Sequence, residues 1–128
     1  MYLSATINDR PDGVRLSLRG EVDYAVRDGL RMALRSAIGR TGRVIEVDLR
    51  DVTFLDCAGV GAIVEAQQLA VRAGRTLIVT RHRGVVRRVL DLSGVLGLLD
   101  PDQGQPDPIR GLLASYKVTS LRRSRPVA

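Results

Sequence analysis

The chain has 128 residues, 45% of them apolar, and a formal net charge of +6, which is the size of one ordinary domain able to bury about two-thirds of its unfolded surface. Its one cysteine excludes an internal disulfide framework and a multi-cysteine zinc site, and its one histidine adds little toward a metal set. Lys117, Arg122, Arg123 and Arg125 crowd the last twelve positions, where no acid stands, so the remainder holds 16 basic against 14 acidic residues and the high pI belongs to the tail.

Residues 2–7 read as a first strand. Val14, Leu16 and Leu18 alternate with Arg15 and Ser17 at the two-residue period of a second. Between them Asn8, Asp9, Pro11, Asp12 and Gly13 carry turn chemistry, which predicts an antiparallel hairpin. Asp23 caps a helix that turns Val26, Leu30, Leu34 and Ile38 inward, with Ala33 and Ala37 alongside and Arg27, Arg31 and Arg35 toward solvent. Gly29 should cost that helix about 1 kcal/mol relative to alanine, and the stretch 39–42 ends it. A strand follows over 44–49, then a helix over 57–73 stopped by Gly74, then a strand over 76–80. Val85, Val86, Val89, Leu90 and Leu92 recur at helical spacing up to Ser93 and Gly94, and Leu98 with Leu99 reads as a last, short edge strand.

The order β-β-α-β-α-β-α-β predicts an α/β fold: a mixed, mostly parallel sheet of about four to five strands joined by right-handed crossovers. Tyr2, Tyr24, Phe54 and Tyr116 are the only aromatics, so the core is built from Leu, Val, Ile and Ala packed as helix on sheet. Residues 101–108 read as a linker, 109–116 as a short helix closing a domain at 1–116, and 117–128 as a basic tail expected to be disordered. No apolar run of 18 residues occurs and the N-terminus lacks the apolar core of a signal peptide. The expected location is the cytoplasm.

Known catalytic patterns are missing. Gly59-Val60-Gly61 follows a strand and opens a helix, but Val64 stands where a dinucleotide fingerprint needs a small residue. No phosphate loop, paired helical histidines or Gly-x-Ser-x-Gly elbow is present. Asp48, Asp51 and Asp56 read as strand-end and turn residues more readily than as an acid-base set. The arginines at 72, 75, 81, 83, 87 and 88 read as a solvated face before an anion site. What remains is a surface at the start of the 57–73 helix, where Asp56 caps the free N–H groups and the positive dipole end and Cys57 follows it.

Three segments then point one way. Gly20-Glu21-Val22-Asp23, the run from Val52 through Phe54-Leu55-Asp56-Cys57-Ala58-Gly59-Val60 to Gly61, and Val86-Arg87-Arg88-Val89-Leu90-Asp91-Leu92-Ser93-Gly94 resemble the STAS domain of bacterial anti-sigma factor antagonists over about residues 3–100. The resemblance implies a non-enzymatic protein without cofactor or metal, whose partner is an anti-sigma factor of the serine-kinase class. Binding would release a sigma factor for transcription, in the manner of stress-response regulators, and phosphorylation would reverse it. The family's acceptor is a serine directly after the motif aspartate, so Cys57 occupies the phosphoacceptor position and Ala58 the next.

The partner-binding residues implied are Asp23, Tyr24, Asp56, Cys57, Ala58, Gly59, Val60, Gly61, Ala62 and Glu65. Asp23 reads equally as a helix cap, and Val60 as core. Cys57 reads as a serine-sized filler or as a redox-sensitive thiol, since a helix start lowers a thiol pKa while Asp56 opposes that shift. STAS domains also serve as subunits of transporters and stress-sensing assemblies, which is the second reading. Nucleic-acid binding through the basic tail ranks last, for want of interleaved aromatics and a reading helix.

Overall fold

The computed structural model describes residues 2–100. The expected linker at 101–108, the short helix at 109–116, the domain boundary after 116 and the tail at 117–128 lie outside the described residues. Strand β1 (Leu3–Arg10) pairs antiparallel with β2 (Gly13–Val22), β2 pairs parallel with β3 (Val44–Leu55), and β3 parallel with β4 (Thr76–Thr80), giving the order β1-β2-β3-β4. A 3-10 turn (Tyr24–Val26) leads into α1 (Arg27–Ile38), which lies against α2 (Cys57–Arg72), the crossover between β3 and β4. After β4 come α3 (Gly84–Leu92) and the single turn α4 (Leu96–Leu99).

One core joins the layers. Leu16, Leu18, Ile45, Val47 and Leu49 from the sheet meet Leu30 and Leu34 of α1, Ile63 of α2, Leu90 of α3 and Leu99 of α4, each no more than 1% exposed. At about 1.5–3 kcal/mol for each large aliphatic side chain withdrawn from water, this burial is the main favourable contribution to the fold.

Strand β3 runs six residues beyond its expected end at Leu49, and the reason is physical. Its register against β2 slips twice, between Ser17/Arg19 and Gly20/Glu21, and each slip gives β3 an extra residue. The inward positions therefore move from every second residue at Ile45, Val47 and Leu49 to every third at Val52 and Leu55, which hides the two-residue period. Asp48, expected near the end of the strand, sits well inside it at 6% exposure. Its Oδ1 accepts from the Arg50 N–H (2.9 Å) across the first bulge, and its Oδ2 pairs with Arg81 (3.1 Å).

The edge strand expected at Leu98 and Leu99 is a helical turn: both N–H groups donate to the Val95 carbonyl (3.0 Å each). Leu96 and Leu99 face the core, and so short an apolar run does not distinguish strand from helix by period. Among the described residues the sheet accordingly has four strands, the lower bound of the expected range. Gly74 and Gly94, at φ +74 and +75, end α2 and α3 in the same way. Arg75 and Val95 donate back to the Ala70 and Leu90 carbonyls (2.8 and 3.2 Å), while the two glycines donate to Val71 and Asp91.

Some helix faces also differ from expectation. Asp23 caps the 3-10 turn, accepting from the Val26 N–H (3.2 Å), and Val26 precedes α1 as its first flanking residue. Arg35 is exposed, but Arg27 and Arg31 are half-buried: Arg27 lies over the Tyr24 ring at 4.6 Å and Arg31 reaches α2. Of the apolar residues that recur at helical spacing in α3, Val86 and Leu90 are buried, while Val85 and Leu92 stand in solvent at 52% and 79% exposure.

On the outer face of the sheet Glu46 accepts from Arg15 (3.0 Å) and Thr80 (2.6 Å). Burial alone would raise its carboxyl pKa, but the bonds from Thr80 and Arg15 and the charges of Arg15 and Arg10 hold it below the ordinary glutamate value. A carboxyl depressed in the folded state contributes stability that is present above its unfolded pKa and lost as pH falls through the folded one. Glu46→Gln should therefore flatten the acid limb of the stability curve by no more than about 1 kcal/mol, since the pair is partly open to water. Denaturant melts from neutral pH down through the carboxylate range check this.

Candidate docking surface at the start of helix α2

The end of β3 delivers Asp56 into an extended conformation (φ −109°, ψ −176°) as the N-cap of α2. One carboxylate oxygen accepts from the Gly59 N–H (3.0 Å), which satisfies one of the orphan donors of the helix start. The other accepts from the Tyr24 N–H (3.1 Å), thirty-two residues away. The Asp56 N–H in turn donates to the Val22 carbonyl (3.1 Å). A single side chain thus ties the loop after β2 to the tip of α2, and Asp23 and Asp56 become neighbours through the backbone between them.

The ten expected contact residues divide by depth. Cys57 and Gly61 are exposed, Tyr24 is 67% exposed, and Asp23, Asp56, Ala58 and Glu65 are half-buried. Gly59, Val60 and Ala62 are buried. Of the two small residues that follow Val60 in the expected set, Gly61 is the one open to close approach by a partner backbone, with nothing within 4 Å of where a Cβ would stand. At Gly59 a Cβ would meet Val22 Cγ1 at 2.5 Å and Leu55 Cδ1 at 2.7 Å. That glycine therefore lets the helix tip seat directly on the strand ends.

Side chains outside the ten expected contact residues complete the surface. Arg31 of α1 donates to Glu65 of α2 at 3.0 Å, which fixes Glu65 at the rim and adds little energy of its own at this exposure. Phe54, 42% exposed, stands two residues before Asp56. Beside Cys57 an open groove of about 510 Å³ runs between α2, at Val60, Gly61, Val64, Glu65 and Gln68, and the turn after α3, at Ser93 and Val95. These residues come from segments some thirty positions apart, and no local signal joins them.

His82 was visible only as a lone histidine. Its side chain is 3% exposed, and Nε2 lies 2.6 Å from Asp100 Oδ2, while Nδ1 is buried with no partner. The contact fastens the end of α4 to the turn before α3. Among the arginines expected as a solvated face, Arg72, Arg81, Arg83, Arg87 and Arg88 are exposed, Arg81 while pairing with Asp48, whereas Arg75 is half-buried and donates to the Gly42 carbonyl (2.6 Å) and the Ile38 carbonyl. Among the described residues no cluster of three or more His, Cys, Asp or Glu gathers as a metal set. None of the helices described is long and apolar enough to cross a membrane.

A four-stranded mixed sheet, two crossover helices in contact, and an aspartate-capped helix start locked to the neighbouring loop define an open α/β domain that presents a helix tip. The chain belongs to the STAS family: the family model described as "Mlab, STAS domain" matches residues 5–100. A relative from Paenibacillus polymyxa, an anti-sigma F factor antagonist, is 33% identical over 87 residues, covering 67% of this chain and 73% of its own length. The solved structure of the anti-sigma factor antagonist SpoIIAA in its unphosphorylated form shares the fold at a TM-score of 0.63 and 22% identity, over 75% of this chain and 84% of that one. A sulfate transporter family protein from Wolinella succinogenes also shares it, at a TM-score of 0.55 and 21% identity, over 80% and 83%. At these identities both structural likenesses bear on fold alone.

Proposed function

We propose that this protein is a non-catalytic anti-sigma factor antagonist that binds an anti-sigma factor of the serine-kinase class and so frees a sigma factor for transcription. The relative named as an anti-sigma F factor antagonist supports the general activity. The observation that carries the surface is Cys57: exposed, directly after the capping Asp56 and beside the Asp23–Tyr24 loop that Asp56 holds. The contact set is Asp23, Tyr24, Asp56, Cys57, Ala58, Gly61 and Glu65, with Gly59, Val60 and Ala62 seating the helix beneath it.

On this reading the usual off-switch is missing. A phosphoserine at position 57 would add about −1.5 to −2 charges next to Asp56 and disfavour an interface by repulsion and desolvation. Cys57 offers no hydroxyl to receive it, and Ala58 none either, so the cytoplasmic antagonist would stay active in the presence of its kinase. The test is calorimetry and ATP-dependent phosphate incorporation against the anti-sigma kinases of the source organism. The wild type should bind one of them saturably and take up no phosphate, Cys57→Ser should become an acceptor, and Cys57→Glu should weaken binding by about tenfold or more, about 1.4 kcal/mol. Failure of every kinase to bind would count decisively against the proposal.

A second reading is a scaffold subunit of a transporter or a larger stress-sensing assembly, a use that STAS domains also have; the fold shared with the sulfate transporter family protein is compatible with it but does not favour it. Native purification separates the two: a soluble kinase companion supports the first reading, a membrane transporter the second.

A further inference from the structure

Among the described residues β1 pairs only with β2, so one side of this strand is free along all eight of its residues. The opposite edge of the sheet is better guarded: β4 has five residues, and α4 lies against it. Strand β1 carries none of the usual protections within its own sequence. From Leu3 to Arg10 it holds no proline and no lysine, and its register with β2 is unbroken by any bulge.

The pairing fixes which backbone groups face outward. The Glu21 N–H donates to the Tyr2 carbonyl (2.8 Å), one step beyond the Leu3–Gly20 pair. Bonded pairs alternate along an antiparallel ladder, so Ser4, Thr6, Asn8 and Arg10 also turn their N–H and C=O groups toward β2. Leu3, Ala5, Ile7 and Asp9 turn theirs to the open edge. One antiparallel register of two β1 strands uses all four, with Leu3 opposite Asp9, Ala5 opposite Ile7, and Thr6 facing its own counterpart across a two-fold axis. It forms about eight main-chain bonds. On the outer face of the sheet it sets Tyr2, 63% exposed, opposite the exposed Arg10 of the second copy, and Ser4 opposite Asn8. A guanidinium thus meets an aromatic ring, and no like charges stand face to face.

The helix layer accommodates the same join. Helix α1 lies over β1 and β2, and Arg40, just past its end, reaches Asp9 of β1 (3.1 Å). Ala33 and Ser36 precede Arg40 at the i, i+3, i+7 spacing, so the flank of α1 above the free edge is made of small residues. With strands about 4.8 Å apart, joining the sheets brings the two α1 axes to roughly 10 Å, an ordinary packing distance for helices.

We propose that two copies of this chain pair antiparallel along β1 into a two-fold dimer with one continuous sheet. Helix α2 lies over β3 and β4, so the tip that carries Asp56 and Cys57 is remote from the join and each dimer presents two of them. The proposal does not rest on what that tip binds.

Sedimentation velocity on the full chain tests it. The wild type should sediment as a dimer at about 100 μM. Ala5→Pro removes an N–H that β2 does not use and blocks the edge, and Thr6→Lys sets two like charges opposite each other at the axis. Each should weaken dimerisation by about tenfold or more with the far-UV circular dichroism unchanged. Should Ala5→Pro not fold, Thr6→Lys, on an exposed position, carries the test alone. Thr6→Cys should form a disulfide between copies under mild oxidation, because directly opposed non-bonded pairs bring their Cα atoms to about 4.5 Å. Ser4→Cys, opposite Asn8, should not, and peptide mapping separates either bridge from one through Cys57. A wild type that stays monomeric at about 100 μM would overturn the proposal. So would a dimer that Thr6→Lys leaves intact, or one that bridges through Ser4→Cys and not through Thr6→Cys.

Discussion

Asp56→Ala is expected to cost about 2 to 3 kcal/mol, one part for the lost helix cap and one for the lost charged bond to the Tyr24 N–H. In a domain of this size that lowers the melting temperature by roughly 10 to 20 °C. The reason is that the two carboxylate oxygens serve different elements, Oδ1 the Gly59 N–H of α2 and Oδ2 the Tyr24 N–H of the loop before α1. Asp23→Ala removes one bond, to the Val26 N–H, and should cost only about 1 kcal/mol. Asp56→Asn should fall between them, because an amide keeps one acceptor and turns its NH₂ toward the other N–H. Thermal melts of the three variants check the order, and an Asp56→Ala no more costly than Asp23→Ala would show that the bridge to Tyr24 contributes nothing.

The bridge also marks the limit of what the linear chain discloses about the site. The cap at Asp56 is legible because it depends only on the four consecutive positions 56–59 and on local chemistry. The same holds for Cys57 at the helix start and for Gly74 as the stop. The bond to Tyr24 is not legible, since it needs the spatial adjacency of two strand ends that only the parallel pairing of β2 and β3 creates. The Arg31–Glu65 pair and the His82–Asp100 contact are hidden for the same reason. Depth at the tip is partly hidden too: Val60, Gly61 and Ala62 look alike as small or apolar residues, and only the seating of Gly59 on Val22 and Leu55 decides which of them face water.

For the fold, element types followed from periodicity wherever the period was unbroken, as in β2 or α1. The extent of β3 was missed because its two bulges turn an alternation into a spacing of three, and the type failed at Leu96–Leu99, a turn shorter than any period can resolve. Glycines behave likewise. Gly13 and Gly42 read as independent punctuation, one in a hairpin turn and the other after a helix, yet in space they are one contact.

Gly13→Ala is accordingly expected to be the most damaging of the small substitutions, at about 3 kcal/mol or more. A Cβ at Gly13 would stand 1.9 Å from the Val44 carbonyl oxygen, and one at Gly42, where φ is +111°, would stand 2.2 Å from the Gly13 Cα. The obstruction is backbone against backbone, so no rotamer relieves it. The same crossing carries the bonds from Arg43 and Val44 to the Asp12 carbonyl (2.7 and 3.1 Å) that start the β2–β3 pairing. Gly29→Ala is the control with opposite sign: nothing lies within 4 Å of its Cβ, and in a helix it should stabilise by up to about 1 kcal/mol. Because Gly13 and Gly42 share one contact, the cost of the double alanine variant should fall short of the sum of the singles by more than the roughly 0.5 kcal/mol seen for independent sites. Denaturant unfolding of the singles and the double measures this directly, and strict additivity would mean that the crossing does not link the two glycines.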